Sequence, residues 1–193
     1  MRIGLFGGSF DPVHNGHIEL AKYVRKQCAL DEIWFLPTVK TPLKDFKQTD
    51  YEDRVAMLKY ALKPFKRLKV STIEATLPIP SYTINTVRKL KELYPEDDFF
   101  FIIGNDQYEQ IDKWKDYETL ITMIQFIVVN RSEQVEEEDS RFIFLKEFDS
   151  PESSTLVRQG HFNMVPTSVL RFIHEKGLYY DSVAKANMSE KRY

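Results

Sequence analysis

Short apolar runs alternate with amphipathic helical patterns along this 193-residue chain, and this alternation constrains the fold more than any other feature. Runs such as residues 98–103 and 125–130 are almost wholly apolar. Strands buried on both faces have this pattern, and they occur in parallel sheets that helices cover on each side. The sequence therefore predicts an α/β fold, a doubly wound parallel sheet with flanking helices and a small C-terminal helical part.

The predicted elements follow one another in a regular order. Strands are expected at residues 2–6, 32–36, 68–73, 98–103, 125–130 and 141–145. Helices are expected at residues 16–27, 51–62, 83–93, 117–123, 154–159 and 167–176. In the first helix, Ile18, Ala21 and Val24 recur at helical spacing and would face the core. Sheets of this kind bind ligands beyond the carboxyl ends of their strands, so we expect functional residues in the loops that lead from strand to helix.

Composition excludes several classes of protein. The 27 basic and 29 acidic residues give a net charge of −2, which disfavours broad, charge-driven binding of nucleic acid. Cys28 is the only cysteine, so an intrachain disulfide and a multi-cysteine zinc site are excluded. Without a signal peptide or an apolar run long enough to span a membrane, we expect a cytoplasmic protein. We expect one domain over residues 1–180 and a polar tail at 181–193.

The loop after the first strand has features that phosphate binding requires. Residues 7–17 read Gly-Gly-Ser-Phe-Asp-Pro-Val-His-Asn-Gly-His. The paired glycines allow close approach of an anion and tolerate a positive φ. The two histidines are three residues apart and would share a face of a helix. That helix is predicted to begin near Gly16, and its free N–H groups would point at the same place.

This loop resembles the Gly-Gly-x-Phe-Asp-Pro-x-His-x-Gly-His signature of the nucleotidylyltransferase superfamily. Later segments resemble motifs of bacterial nicotinate-nucleotide adenylyltransferases, in the same order. The first is Ser-Tyr-Thr-x-Asp-Thr at residues 81–86, where Asn85 stands in place of the aspartate. The second is Gly-x-Asp at 104–106, followed by Trp114. Ser-Ser-Thr-x-x-Arg follows at 153–158, and a closing Pro…Val…Ile…Leu-Tyr pattern runs from Pro166 to Tyr179. The resemblance runs from residue 3 to about residue 180. It implies a Rossmann-like sheet and a single nucleotidyltransferase domain.

The resemblance implies that AMP passes from ATP to nicotinate mononucleotide, with release of pyrophosphate. Such a direct transfer depends on positioning and charge stabilisation and needs no protein nucleophile. The implied catalytic residues are His17, His14 and Arg158, and His17 is the one expected at the transition state. Histidine suits this role because it donates hydrogen bonds and carries charge near neutral pH. Mg²⁺ is expected to accompany ATP, whereas no protein metal site is expected, because His14 and His17 lack further ligands for zinc.

The implied binding residues divide into two sets. ATP would contact Gly7, Gly8, Ser9, Phe10, His14, Gly16, His17, Gly104, Asp106, Ser154, Thr155 and Arg158. Nicotinate mononucleotide would contact Lys44, Tyr82, Thr83 and Trp114. Each assignment has a structural alternative, since Ser154 and Asp106 are also common helix-capping types and Trp114 could lie half-buried against the next helix.

Two alternative functions remain open at this point. Pantetheine-phosphate adenylyltransferases and cytidylyltransferases share the opening motif, although the segments at residues 81–86 and 104–114 favour a nicotinate substrate. A catalytically silent nucleotide sensor would have the same fold, although His14, His17 and Arg158 favour an enzyme. The sequence leaves open assembly into a homo-oligomer and the strength of a preference for acid over amide.

Overall fold

A computed structural model of the chain describes residues 1–39, 48–80, 82–130, 140–146, 148–181 and 183. Its strands are β1 (Arg2–Gly8), β2 (Glu32–Pro37), β3 (Leu68–Val70), β4 (Asp98–Gly104), β5 (Gln125–Asn130) and β6 (Phe142–Lys146). Its α-helices are α1 (Asn15–Gln27), α2 (Tyr51–Leu62), α3 (Thr83–Leu93), α4 (Asn105–Tyr108), α5 (Tyr117–Met123), α6 (Ser154–Arg158) and α7 (Thr167–Lys176). Within the described residues the strands form one parallel sheet in the order β3-β2-β1-β4-β5-β6. The predicted doubly wound α/β fold is confirmed.

Two local differences from the prediction have simple causes. β3 ends at Val70, and Ile73–Thr76 forms a 3₁₀ helix instead of a continuation of the strand. β3 pairs on one side only, with β2, so fewer ladder hydrogen bonds hold its end. Helix α4 was not predicted, because a single turn of four residues has no hydrophobic periodicity for a sequence pattern to reveal.

The core lies on both faces of the sheet, as the apolar strands predict. On one face, α1, α2 and α7 pack against the sheet, and Ile18, Ala21 and Val24 of α1 are buried there. On the other face, α3 and α5 cover a cluster that includes Ile3 and Leu5 of β1. Alternate residues of β1 therefore face opposite halves of the core, as expected of a central parallel strand.

The strand order reverses at β1 and β4. The chain builds β2 and β3 on one side of β1 and then crosses to build β4, β5 and β6 on the other. Phe6 pairs in register with Ile102, so the glycines that end β1 and β4 leave the sheet side by side. A crevice opens where connections diverge in this way, and ligands of doubly wound sheets bind in it.

The C-terminal end of the chain lies partly outside the described residues. Residues 184–193, most of the predicted tail, fall in that part, so the division into a domain at 1–180 and a tail stays a prediction. In the ranges that are described, none of the helices has the length and apolar character that a membrane crossing requires.

Candidate active site

His14 and His17 form a stacked pair at the start of α1. The helix begins at Asn15, one residue before the predicted start, and His14 is its N-cap. The two rings stack with centroids 3.6 Å apart, and the backbone N–H of His14 donates to Nδ1 of His17 at 3.2 Å. The histidines therefore share one face at a helix N-terminus, where partial positive charge favours anions.

Burial favours the neutral form of both imidazoles. Burial lowers the pKa of His14 to about 4, although the nearby Glu152 carboxylate opposes the change. Burial also lowers the pKa of His17 well below its ordinary value, and the adjacent His14 adds to the effect. This lowering of the His17 pKa opposes the expectation that His17 carries charge near neutral pH. A neutral His17 that accepts at Nδ1 has its proton on Nε2, where it can serve as a donor.

The glycines of the loop lie at positions where a Cβ would meet neighbouring side chains. Gly7 and Gly8 lie in the extended backbone of β1, and a Cβ on either would come within 3.2 to 3.3 Å of the Phe101 or Phe10 ring. The positive φ expected of a glycine occurs instead at the buried Phe10, whose φ is 47°. A Cβ on Gly16 would collide with Ser150 Oγ. Gly16 is therefore required for the close approach of a distant segment to the loop that contains His14 and His17, which we call the histidine loop.

That distant segment leads into α6, which holds the histidine loop from the other side. Ser153 is the N-cap of α6 and accepts from the Leu156 N–H at 3.1 Å. Ser154 is therefore not the cap, and its hydroxyl donates to the Pro12 carbonyl at 2.9 Å. The capping alternative for Ser154 is wrong, and its predicted contact with ATP stays a prediction.

Arg158 also contacts the histidine loop. Its Nη1 donates to the Asp11 carbonyl at 2.6 Å, and its Nη2 donates to Thr155 Oγ1 at 3.2 Å. The fold thus brings the predicted residues of α6 to the loop that contains His14 and His17, across more than 140 residues of sequence.

Arg54 holds the same loop, and sequence reasoning missed it. The side chain is 1% exposed and donates to the carbonyls of Ser9 (2.7 Å), Thr38 (2.9 Å), Val39 (3.3 Å) and Thr49 (2.9 Å). These bonds join the segments that follow β1 and β2. A basic residue on a helix ordinarily faces solvent, so the residue type of Arg54 does not predict its burial.

Asp11 is the second residue that the prediction left without a role, although it lies within the motif. Its carboxylate is fully buried, and each oxygen accepts a hydrogen bond. Tyr179 Oη donates to Oδ1 at 2.7 Å, and the Thr49 N–H donates to Oδ2 at 3.1 Å. The position of Asp11 in a predicted ligand loop was a signal, but its partners are distant in sequence.

A cavity of about 560 Å³ opens at the carboxyl ends of β1 and β4. Phe6 and Ile102 contribute its apolar wall, and Gly104 and Asp106 lie at its polar side. Gly104 is the N-cap of α4, so Asp106 is not the cap and its carboxylate is exposed. Asp106 Oδ1 lies 2.7 Å from where a Cβ on Gly104 would be, so the glycine leaves room for the carboxylate.

A smaller pocket of about 250 Å³ is associated with the opposite face of the sheet, where α3 and α5 pack. It is lined by Tyr82, Thr83, Lys113, Trp114 and Lys115. Trp114 is half-buried, edge-on to the rings of Phe101 at 6.1 Å and Phe126 at 6.2 Å. Its packing is therefore on two strands of the sheet, and its role in binding a ligand stays a prediction. The fold brings together the predicted Tyr82, Thr83 and Trp114, whereas Lys44 lies outside the described residues.

Known proteins resemble this chain in sequence over most of its length. The model of the cytidylyltransferase-like family matches residues 5–160. The chain is 41% identical over 185 residues to a probable nicotinate-nucleotide adenylyltransferase of Bacillus pumilus, covering 92% of this chain and 98% of that one. It is 40% identical over 187 residues to the nicotinate-nucleotide adenylyltransferase of Bacillus subtilis, with the same coverage. This chain belongs to the nicotinate-nucleotide adenylyltransferase family.

Solved structures agree on the family fold. A Plasmodium falciparum nicotinic acid mononucleotide adenylyltransferase complexed with NaAD matches with a TM-score of 0.76 at 19% identity, covering 92% of this chain and 97% of that one. A putative nicotinate-nucleotide adenylyltransferase of Vibrio parahaemolyticus matches with a TM-score of 0.68 at 20% identity, covering 92% and 94%. The family predicted from the motifs is confirmed by the relatives, and its fold is confirmed by these structures.

Proposed function

We propose that this protein transfers AMP from ATP to nicotinate mononucleotide, giving nicotinate adenine dinucleotide and pyrophosphate, a step in NAD biosynthesis. The observation that supports it most strongly is the pairing of two unlike sites at one sheet. The histidine loop and α6 suit a triphosphate, and the pocket with Trp114 suits a flat aromatic ring. The names of the similar Bacillus proteins agree with this reaction.

The proposed reaction is an in-line displacement. A phosphate oxygen of nicotinate mononucleotide forms a bond to the α-phosphorus of ATP, and the bond from that phosphorus to the bridging oxygen breaks. His17 would donate from Nε2 to the oxygens on which charge develops, because its Nδ1 already accepts a hydrogen bond. The anionic triphosphate would raise the lowered pKa values of His14 and His17 toward their ordinary range.

The terminal phosphates of ATP would lie against α6. Arg158 and the Thr155 hydroxyl would contact them, since α6 lies against the histidine loop, and the Ser154 hydroxyl would do so on exchanging its bond to the Pro12 carbonyl for one to a phosphate oxygen. Asp106 would accept from ribose hydroxyls in the 560 Å³ cavity. Lys44 remains a proposed phosphate contact, although it lies outside the described residues.

The acceptor would bind in the smaller pocket. The Trp114 indole would stack on the pyridine ring, because one part of it packs on the core and another lines the pocket. The backbone N–H groups of Tyr82 and Thr83, at the start of α3, would receive the nicotinate carboxylate.

Mg²⁺ would enter with ATP as part of the substrate. In the described residues, no group of three or more His, Cys, Asp or Glu side chains is arranged to hold a metal ion. The donors that line the larger cavity include the carboxylates of Asp106 and Glu109. These fit an ion that keeps most of its ligands as water and phosphate oxygens. The cytoplasmic location and the oligomeric state stay predictions.

A substrate comparison tests the proposal. The protein is incubated with MgATP and, separately, nicotinate mononucleotide, nicotinamide mononucleotide or phosphopantetheine, and the products are identified by mass. Nicotinate adenine dinucleotide is the expected main product. Faster reaction with phosphopantetheine would overturn the proposal, and binding of ATP without any product would favour a silent sensor.

Two variants of Trp114 test the acceptor pocket within the same assay. Trp114→Ala should raise the KM for nicotinate mononucleotide about tenfold, since stacking on an aromatic side chain contributes about 1–3 kcal/mol. Trp114→Phe retains an aromatic ring and should raise that KM much less. The KM for ATP should stay unchanged in both variants. An unchanged KM for the mononucleotide in Trp114→Ala would remove Trp114 from the acceptor site.

A further inference from the structure

Three side chains from the C-terminal part of the chain converge on Asp11 and Pro12. They are Ser154, Arg158 and Tyr179, and we call them the C-terminal clasp. Ser154 and Arg158 donate to the backbone carbonyls of Pro12 and Asp11. Tyr179 contacts the Asp11 side chain, since its hydroxyl donates to Oδ1 at 2.7 Å.

We propose that Tyr179 is a positioning residue, which holds the Asp11 carboxylate and thereby fixes the His14–His17 pair for the transfer reaction. This inference rests on the proposed function for its kinetic consequence. Its structural consequence, the placement of the two imidazoles, is independent of any reaction.

Burial of Asp11 explains why a donor is required. A carboxylate that is fully removed from water is costly unless hydrogen bonds replace its hydration. The Thr49 N–H serves one oxygen and the Tyr179 hydroxyl serves the other. Burial and the Asp11 carboxylate both raise the pKa of Tyr179, so its hydroxyl stays protonated as a donor.

The turn after α7 directs Tyr179 toward this contact. The helix ends at Gly177, which has a φ of 65°, and Tyr179 itself has a φ of 68°. The left-handed conformation is unfavourable for a residue with a Cβ and persists where surrounding contacts enforce it. Tyr179 therefore occupies a strained conformation in which its hydroxyl reaches Asp11.

A short connection links Asp11 to the histidines. Phe10 precedes Asp11, is buried, and has its ring centroid 5.1 Å from that of His17, edge-on. On the other side of Asp11, Val13 is fully buried and leads directly to His14. A displacement of Asp11 would move His14, which lies three positions along the chain, and would move His17 through its contact with the Phe10 ring.

The kinetic test compares two neighbouring tyrosines. Tyr179→Phe removes one hydroxyl, and the expected result is a fall in kcat of about 10- to 100-fold, as small misplacements of catalytic groups produce. The KM values for ATP and nicotinate mononucleotide should stay close to those of the wild type. Tyr180→Phe is the matched control, because Tyr180 is exposed and its ring contacts are with Phe162 and His174. It should retain wild-type kcat.

Histidine side-chain NMR supplies a test that needs no activity. The chain has four histidines. Tyr179→Phe should shift the imidazole resonances of His14 and His17 and leave exposed His161 unchanged, whereas Tyr180→Phe should shift His174 and leave the catalytic pair unchanged. A folded Tyr179→Phe protein with wild-type kcat and unshifted His14 and His17 would overturn the proposal.

Measurements on the wild type decide two further cases, a Tyr179→Phe variant that fails to fold and a protein that lacks the proposed activity. The Tyr179 hydroxyl proton should exchange slowly with water and that of Tyr180 rapidly, and equal fast exchange would overturn the inference even if Tyr179→Phe fails to fold. A wild type that makes no nicotinate adenine dinucleotide would overturn the proposed function, while the histidine spectra would still decide the role of Tyr179.

Discussion

The two sides of the candidate active site are built in opposite ways. On the triphosphate side, residues 9–17 are held by buried groups from three distant segments, including Arg54 and Tyr179. On the acceptor side, Tyr82 is 40% exposed, and the lysines flanking Trp114 are exposed as well. In the proposed function, the chemistry would thus belong to a part of the fold that many hydrogen bonds hold, and recognition of the acceptor ring would belong to its surface.

This difference has a physical reason. Stabilisation of a transition state depends on donors that are fixed before the reaction, and burial fixes them. An acceptor pocket must admit and release its ligand in each turnover, so partial exposure is suitable there. Substitutions on the triphosphate side should therefore change kcat and stability, and substitutions on the acceptor side should change KM and specificity.

The largest effect is expected at His17. His17→Ala removes the Nε2 donor, and kcat should fall about 10²- to 10³-fold, as removal of one such donor does in other enzymes. The KM for nicotinate mononucleotide should change little. Steady-state kinetics with both substrates varied measures this, with the exposed His161→Ala as control. An unchanged kcat would show that His17 has no part in the transfer.

The next effect is on stability, at Arg54. Arg54→Met removes the donor of four part-buried carbonyls from a buried position, and the free energy of unfolding should fall by more than about 3 kcal/mol. Urea unfolding measures the loss. Lys59→Met, at an exposed position of the same helix, is the control and should be close to neutral. Equal free energies of unfolding for the two variants would contradict the conclusion that the hydrogen bonds of Arg54 hold the triphosphate side.

A pH dependence of about 2 kcal/mol should come from His14. Its pKa is about 4 in the folded protein and about 6.5 when unfolded, so the unfolded chain binds a proton first as the pH falls. The free energy of unfolding is therefore complete above pH 6.5 and decreases toward pH 4, by about 2 kcal/mol between pH 7 and pH 5. His17, whose pKa is also lowered, acts in the same direction.

Urea unfolding at the two pH values measures this dependence. His14→Asn retains a good N-cap and should lose the His14 part of it. His161→Asn should keep all of it. If His14→Asn kept the full wild-type dependence, the buried neutral imidazole would not be its source.

The smallest effect is expected at Lys115. Its ammonium lies 4.5 Å above the Tyr82 ring and lines the acceptor pocket, where positive charge favours a carboxylate over an amide. Lys115→Met should lower the ratio of kcat/KM for the acid to that for the amide about two- to fivefold, since an exposed charge contributes up to about 1 kcal/mol. Lys91→Met, at the far end of α3, is the control. An unchanged ratio would place acid selection on the backbone of α3 alone.

Local patterns were sufficient for much of the fold. The fully apolar runs at β4 and β5 predicted buried parallel strands, because such strands have no solvent face. Helices α2, α3, α5 and α7 begin and end where their periodicity predicts. Helix α4 and the early end of β3 escaped prediction, since each depends on a turn or a sheet edge rather than on a repeat.

The candidate site was predicted less completely than the fold. Residues next to one another in a motif, such as His14 and His17, could be predicted as a pair because helix geometry relates positions three apart. Arg54 was missed, because its partners are carbonyls of three separate segments. Its residue type gives no sign of burial.

The sequence by itself determined the reaction class to expect and the layout of strands and helices, because motif chemistry and hydrophobic periodicity are local properties. Only the tertiary structure decided that burial lowers the pKa of both histidines, that Ser154 contacts Pro12, and that Tyr179 reaches Asp11. Burial and hydrogen bonds between residues more than 140 positions apart exist only after the sheet has formed, and these contacts hold the loop that contains both histidines.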